Sequence, residues 1–113
     1  MKLLNKFKYA FTGLFIGMRQ GSIWLQIVLG LVAVVTFIVV KISYFEWLVV
    51  IIMIAIVVLC EWINSIVEMT VDYISLERKT QAKKIKDLSA GLVLLSGLFA
   101  LIIGILLLIE HLL

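Results

Sequence analysis

The sequence predicts an all-α integral membrane protein, an N-terminal amphipathic surface helix followed by three transmembrane helices. Three observations lead there. Of its 113 residues 65% are hydrophobic, the mean hydropathy is +1.26 and proline is absent, a composition far outside that of soluble domains. Apolar runs long enough to cross a bilayer occur three times. The basic residues gather in two segments, one near the N-terminus and one between the second and third runs. One domain over 1–113 is all this length allows. So short a chain encloses no sizeable polar site alone, so any site is expected between copies of the chain.

Residues 1–20 are expected to form the surface helix. Leu3, Leu4, Phe7, Ala10, Phe11, Leu14, Phe15 and Met18 share an arc of about 140° on a helical wheel, outside which fall Asn5, Lys8, Thr12 and Arg19. A basic helix of this pattern lies in the plane of the membrane surface. Its lysines serve either as a cytoplasmic anchor or as part of a site, and both readings stay open. No cleavable signal peptide is expected, because lysines and aromatics are mixed through the first residues without a compact apolar core.

The first span is expected over 22–41. Only Gln26 and Thr36 interrupt its apolar run, which covers ~27 Å at the helical rise. A short turn leads to Glu46 and Trp47 at the next interface, where the second span, 45–74, begins. Residues 75–87 read as a hydrophilic hinge carrying Arg78, Lys79, Lys83, Lys84 and Lys86. The third span covers 88–110, with Ala90, Gly97 and Gly104 recurring every seven residues as a smooth stripe for close helix packing. Glu110 and His111 close the far interface, and no ligand-type partner is expected for the histidine. By the positive-inside rule the N-terminus and the hinge are cytoplasmic and the C-terminus lies outside.

One stretch does not belong in lipid. Glu61, Glu68 and Asp72 fall within about 40° of one another on the second span, flanked on the same face by Asn64 and Ser65. An ionisable residue inside a bilayer costs roughly 2.5 to 3.5 kcal/mol even on lenient scales, so an acidic stripe implies compensating partners and a function. Counted from Glu46, Glu61 lies ~22 Å along the helix, Glu68 ~33 Å and Asp72 ~39 Å, against a hydrocarbon core of ~30 Å. Glu61 is therefore submerged just below the inner surface, Glu68 is interfacial and Asp72 is in water.

Several classes are excluded. The single Cys60 rules out an internal disulfide and a cysteine metal cluster. No Walker-type loop, HExxH, CxxC or GxSxG occurs, so any nucleotide chemistry falls to helices and hinge. The formal charge of +3 suits an anionic membrane surface or a phosphate-bearing ligand better than nucleic acid. An ion relay along the acidic stripe is disfavoured, because the acids cluster at one end instead of continuing across the membrane.

Two motifs stand on the cytoplasmic side, Glu61-x-x-Asn64-Ser65-x-x-Glu68-x-x-x-Asp72 and Ala82-Lys83-x-x-Lys86-Asp87-x-Ser89-Ala90-Gly91. Together they resemble the prokaryotic diacylglycerol kinase family, which includes the undecaprenol kinases. The likeness runs from Phe7-Lys8-Tyr9-Ala10-Phe11-x-Gly13 through Glu46-Trp47 to the third span. It implies a homotrimer with active sites shared between neighbouring chains in the bacterial inner membrane. It also implies ATP-dependent phosphorylation of a lipid alcohol, undecaprenol or diacylglycerol, with Mg²⁺ as cofactor.

A lipid hydroxyl is a poor nucleophile, so a carboxylate must take its proton, while a divalent cation and positive charge neutralise the phosphoryl group in transfer. By resemblance Glu61 is the catalytic base and Glu68 holds the metal, while Asn64 orients the metal or the phosphate. Lys86 is matched to the phosphate-binding lysine, and Asp72 and Asp87 to its supporting acids.

The chain departs from the family in one consequential place. A further metal-sharing glutamate is expected near the end of the surface helix, where this sequence reads Met18-Arg19-Gln20-Gly21-Ser22. The position falls on Gln20 or Gly21, and metal affinity should fall in either case. Three expectations follow: a weakened kinase, a kinase that fills the position with water or another group, or an inactive relative acting as a non-enzymatic membrane protein. In the hinge, Lys79 stands where many relatives carry histidine and Arg78 where they carry an aromatic, which bears on nucleotide preference.

Overall fold

The computed structural model describes residues 2–74 and 79–113 as four helices, α1 (Lys2–Met18), α2 (Gly21–Val40), α3 (Tyr44–Ile74) and α4 (Lys79–Leu112). The expectations placed on Arg78 and on the side chain of Lys79 lie outside the described residues.

Local chemistry sets each break. The Arg19 and Gln20 amides donate to the carbonyls of Ile16 and Gly17, tightening the last turn of α1. Gln20 is extended (φ −73°, ψ 127°), and its carbonyl accepts the Trp24 amide to start α2. At the other end Lys41 takes the left-handed conformation (φ 63°) and its amide closes on Phe37. A reciprocal box then opens α3: the Glu46 amide donates to Ser43 Oγ at 3.2 Å and the Ser43 amide donates to Glu46 Oε1 at 2.9 Å.

The principal packing is α3 against α4, with α2 leaning on α3. Two side-chain pairs make α3 and α4 antiparallel and define their register, Asp72 with Lys86 at one end and Glu46 with His111 at the other. Between them, covered positions alternate at steps of three and four: Val50, Ile54, Val57, Glu61 and Asn64 on α3, and Ser89, Val93, Ser96, Ala100, Ile103 and Leu107 on α4. This is the spacing of a left-handed helix seam. Towards Glu46 the seam is apolar and joins the core of Phe37, Ile42 and Val50. Towards Asp72 it turns polar.

The molecule is a slab, 54 × 43 × 19 Å, about two helices thick. Its surface of 8,872 Å² exceeds the ~6,300 Å² of a compact monomer of this mass. Large apolar side chains of α2, α3 and α4 point outward along their whole length. All three helices are long and apolar enough to cross a membrane. Such a surface needs lipid or other protein around it, and the chain is a multi-pass membrane protein.

Two expectations change. From Lys79 onward the segment expected as a hinge is helical and continuous with the third span. Gln81, Ala82, Lys83 and Lys84 are good helix formers, no glycine or proline intervenes, and a Lys83–Asp87 pair of i,i+4 spacing supports the turn. The small-residue stripe is not closely packed within the chain. A Cβ added at Gly97 or Gly104 meets nothing within 4 Å. Both line an open cleft of about 370 Å³ between α2, α3 and α4, because α2 leans on α3 and leaves that face of α4 uncovered.

Candidate active site

The polar half of the seam is built from α3. Glu61 and Asn64 are buried, at 6% and 7% exposure, because both fall on the face that meets α4. One turn further, where the helix emerges, Glu68 is exposed. The Asn64 Nδ2 amide donates to Glu68 Oε1 at 3.0 Å. Asn64 Oδ1 therefore points elsewhere, and it is buried without a hydrogen-bond partner. Ser89 Oγ on α4 is likewise buried and unpartnered. The antiparallel register puts Ser89 level with Glu68, and Ser96 level with Glu61 and Trp62. Ser96 spends its hydroxyl on the Val93 carbonyl at 2.8 Å. No hydrogen bond among the described residues reaches the Glu61 carboxylate.

Buried polar atoms without partners are rare, because each forfeits its hydration for nothing. Here they collect beside two carboxylates, leaving one amide oxygen and one hydroxyl free for a ligand. The donor set of Asn64 Oδ1 and the Glu68 carboxylate is all oxygen, as a hard cation such as Mg²⁺ requires, and the orphaned Oδ1 fits that role.

At the water-facing end, Lys86 pairs with Asp72 across the two helices. Both remain partly exposed, so the pair contributes little to stability and is easily opened by a competing anion. Asp87 does not join this group; it accepts from Lys83 Nζ at 2.6 Å on the outer face of α4. That bond and its charge hold the Lys83 ammonium above its ordinary value. Glu61, Asn64, Glu68, Asp72 and Lys86 thus share one seam, and Asp87 lies off it.

The α1–α2 turn reaches the same level. Trp62 packs its indole ring onto Gly17, the one buried residue of α1. Arg19 stacks its guanidinium 4.9 Å from the centre of the Phe15 ring. Gly21 is exposed, has no positive φ, and a Cβ there would meet nothing within 4 Å. Beside Glu61 in sequence, Cys60 heads an apolar cleft of about 350 Å³ between α3 and α4, running past Ser96 and Phe99 to Met53 and Ile103.

The placing of Ser89, Ser96, Gly17 and Trp62 escaped the sequence reading. The two serines are seven residues apart, as are Glu61 and Glu68, and that shared period was the available signal. Nothing local announces the Gly17–Trp62 contact.

Fold and site together define a multi-pass helical membrane protein with carboxylates and an amide in a helix seam and a lysine at its mouth. Residues 8–108 match the family model for prokaryotic diacylglycerol kinase, and the chain belongs to that family of lipid kinases. Comparison with curated proteins and with solved structures finds no match.

Proposed function

We propose that the protein transfers the γ-phosphoryl group of ATP to the hydroxyl of a membrane lipid alcohol, undecaprenol or diacylglycerol. The observation that carries this is the buried Glu61–Asn64 step, which ends in an orphaned amide oxygen beside Glu68, in a chain of a lipid-kinase family. The lipid chain lies in the apolar cleft below Cys60, which brings its hydroxyl to the depth of Glu61. Glu61, on a buried face and free of hydrogen bonds among the described residues, accepts the hydroxyl proton as the oxygen attacks. Glu68 and Asn64 would hold Mg²⁺, which when bound would neutralise the phosphate oxygens. Lys86 leaves Asp72 to meet the nucleotide phosphates, and Asp72 keeps it positioned between turnovers. Asp87 acts at a distance, through the charge and placement of Lys83.

A slab two helices thick leaves one side of the seam uncovered, which supports sites completed by neighbouring copies in a homotrimer. The cluster of lysines at the start of α4 and in α1 supports a cytoplasmic location for the site and the N-terminus in the bacterial inner membrane. The test is direct: protein in bilayers is given radiolabelled ATP, Mg²⁺ and each lipid alcohol in turn. One labelled phospholipid is expected. Absence of label in every lipid overturns the proposal.

A second reading, a scaffold without catalysis, rests on the absence of any acidic residue before Glu46. Position 21 decides between them, since the open space there accepts a glutamate without repacking. An acid in the first turn of α2 is also favoured by the helix dipole. If the wild-type protein is a weakened kinase, Gly21→Glu lowers the Mg²⁺ concentration needed for half-maximal phosphorylation. If it is a scaffold, the wild type is silent and the variant gains activity.

A further inference from the structure

At the end of the bundle remote from the acidic stripe, three side chains of metal-ligating type converge. Glu46 comes from the first turn of α3, and Glu110 and His111 from the last turn of α4. His111 Nε2 lies 2.8 Å from Glu46 Oε1 and 3.0 Å from Oε2. One ligand atom from each of the three residues lies within 4.8 Å of the others. The histidine was expected to stand alone; the antiparallel register of α3 and α4 supplies its partner.

This cluster has an unbalanced charge. The imidazole pairs with Glu46 while the exposed Glu110 stands beside it, and among the described residues no lysine or arginine lies within 4.0 Å of either carboxylate. The Glu46 and His111 side chains are mostly covered, at 17% and 25% exposure, so water screens their charge incompletely. Glu46 is also held in place, since Ser43 fixes its Oε1 through the box that opens α3. The imidazole thus serves Glu46 and leaves Glu110 without a cation partner among the described residues, whereas a divalent cation can take an oxygen from each.

We propose that Glu46, Glu110 and His111 form a binding site for a zinc-class divalent cation, which clamps the start of α3 to the end of α4. One imidazole nitrogen and two carboxylate oxygens suit Zn²⁺ and its neighbours, whereas Mg²⁺ prefers an all-oxygen octahedron. Bonds of ~2.0–2.2 Å to three such atoms need the present separations to adjust by only a few tenths of an ångström to about an ångström and a half. The cation takes the Nε2 lone pair of the neutral ring, whose proton is carried on Nδ1, and water completes the coordination. Along α3 the site lies ~39 Å from Asp72. It is therefore separate from the kinase seam and does not depend on kinase activity.

The experiment is equilibrium dialysis of the full chain in detergent micelles against radioactive zinc, in a Glu68→Gln background so that the seam does not contribute. Thermal unfolding with and without zinc is recorded in parallel. Saturable binding of one zinc per chain at about ten micromolar or tighter is expected, undisturbed by millimolar Mg²⁺. His111→Ala and Glu110→Gln should each weaken it by at least about tenfold and remove the zinc-induced rise in unfolding temperature. Both residues sit in the last turn of α4, so these variants fold even if Glu46 replacements, which break the α3 cap, do not. No saturable binding in this range, or binding that both variants retain, overturns the proposal.

Discussion

Replacing Glu61 with glutamine is expected to reduce lipid phosphorylation by roughly 10² to 10⁴-fold, the range supplied by a general base. The substitution keeps the shape of the side chain on a face that is 6% exposed, so packing against α4 is preserved while the proton acceptor is lost. The unfolding temperature should stay level or rise, because a carboxylate on a buried face, with no hydrogen-bond partner among the described residues, is itself a cost to the fold. Rate and unfolding temperature measured on one preparation separate the two effects. A rate within about threefold of wild type removes Glu61 from the reaction, and a rate that falls together with stability makes its role structural.

Gly17→Val is expected to be the most damaging change to the fold. A Cβ at this position would sit 1.9 Å from the Trp62 ring, nearer than atoms can approach, so either the indole or α1 must move. Overpacking of this kind costs about 1–3 kcal/mol. The loss should appear as faster proteolysis in α1 and as lower kinase activity, since the α1–α2 turn departs from the seam. Two controls make the cause specific. Gly13→Val meets open space and should leave the attachment of α1 intact, and Trp62→Ala combined with Gly17→Val should recover part of the loss. Equal damage from positions 13 and 17 would refute the packing argument.

The acidic stripe was legible because a helix gives each residue a known angle, and acids are scarce in lipid. Glu61, Asn64, Glu68 and Asp72 share a face in the sequence and in the structure. Lys86 opposite Asp72 was legible only as a motif, because a cross-helix pair depends on register, and register is set by the packing of two whole helices. Asp87, adjacent to Lys86, is rotated about 100° around α4 and bonds Lys83, a placement that the motif alone does not specify. Of the segment read as a hydrophilic hinge, the part from Lys79 onward is helical, because good helix formers extend the third span before its expected start at Leu88.

The amino-acid sequence alone determined the membrane class, the three spans and the acids on one face, since composition, length and helical period are local properties of the chain. Only the tertiary structure decided which residues meet across helices: Trp62 on Gly17, Lys86 on Asp72 and His111 on Glu46. Those contacts join positions 14 to 65 residues apart. They follow from how the α3–α4 seam aligns and where α1 folds back, and no local pattern encodes either.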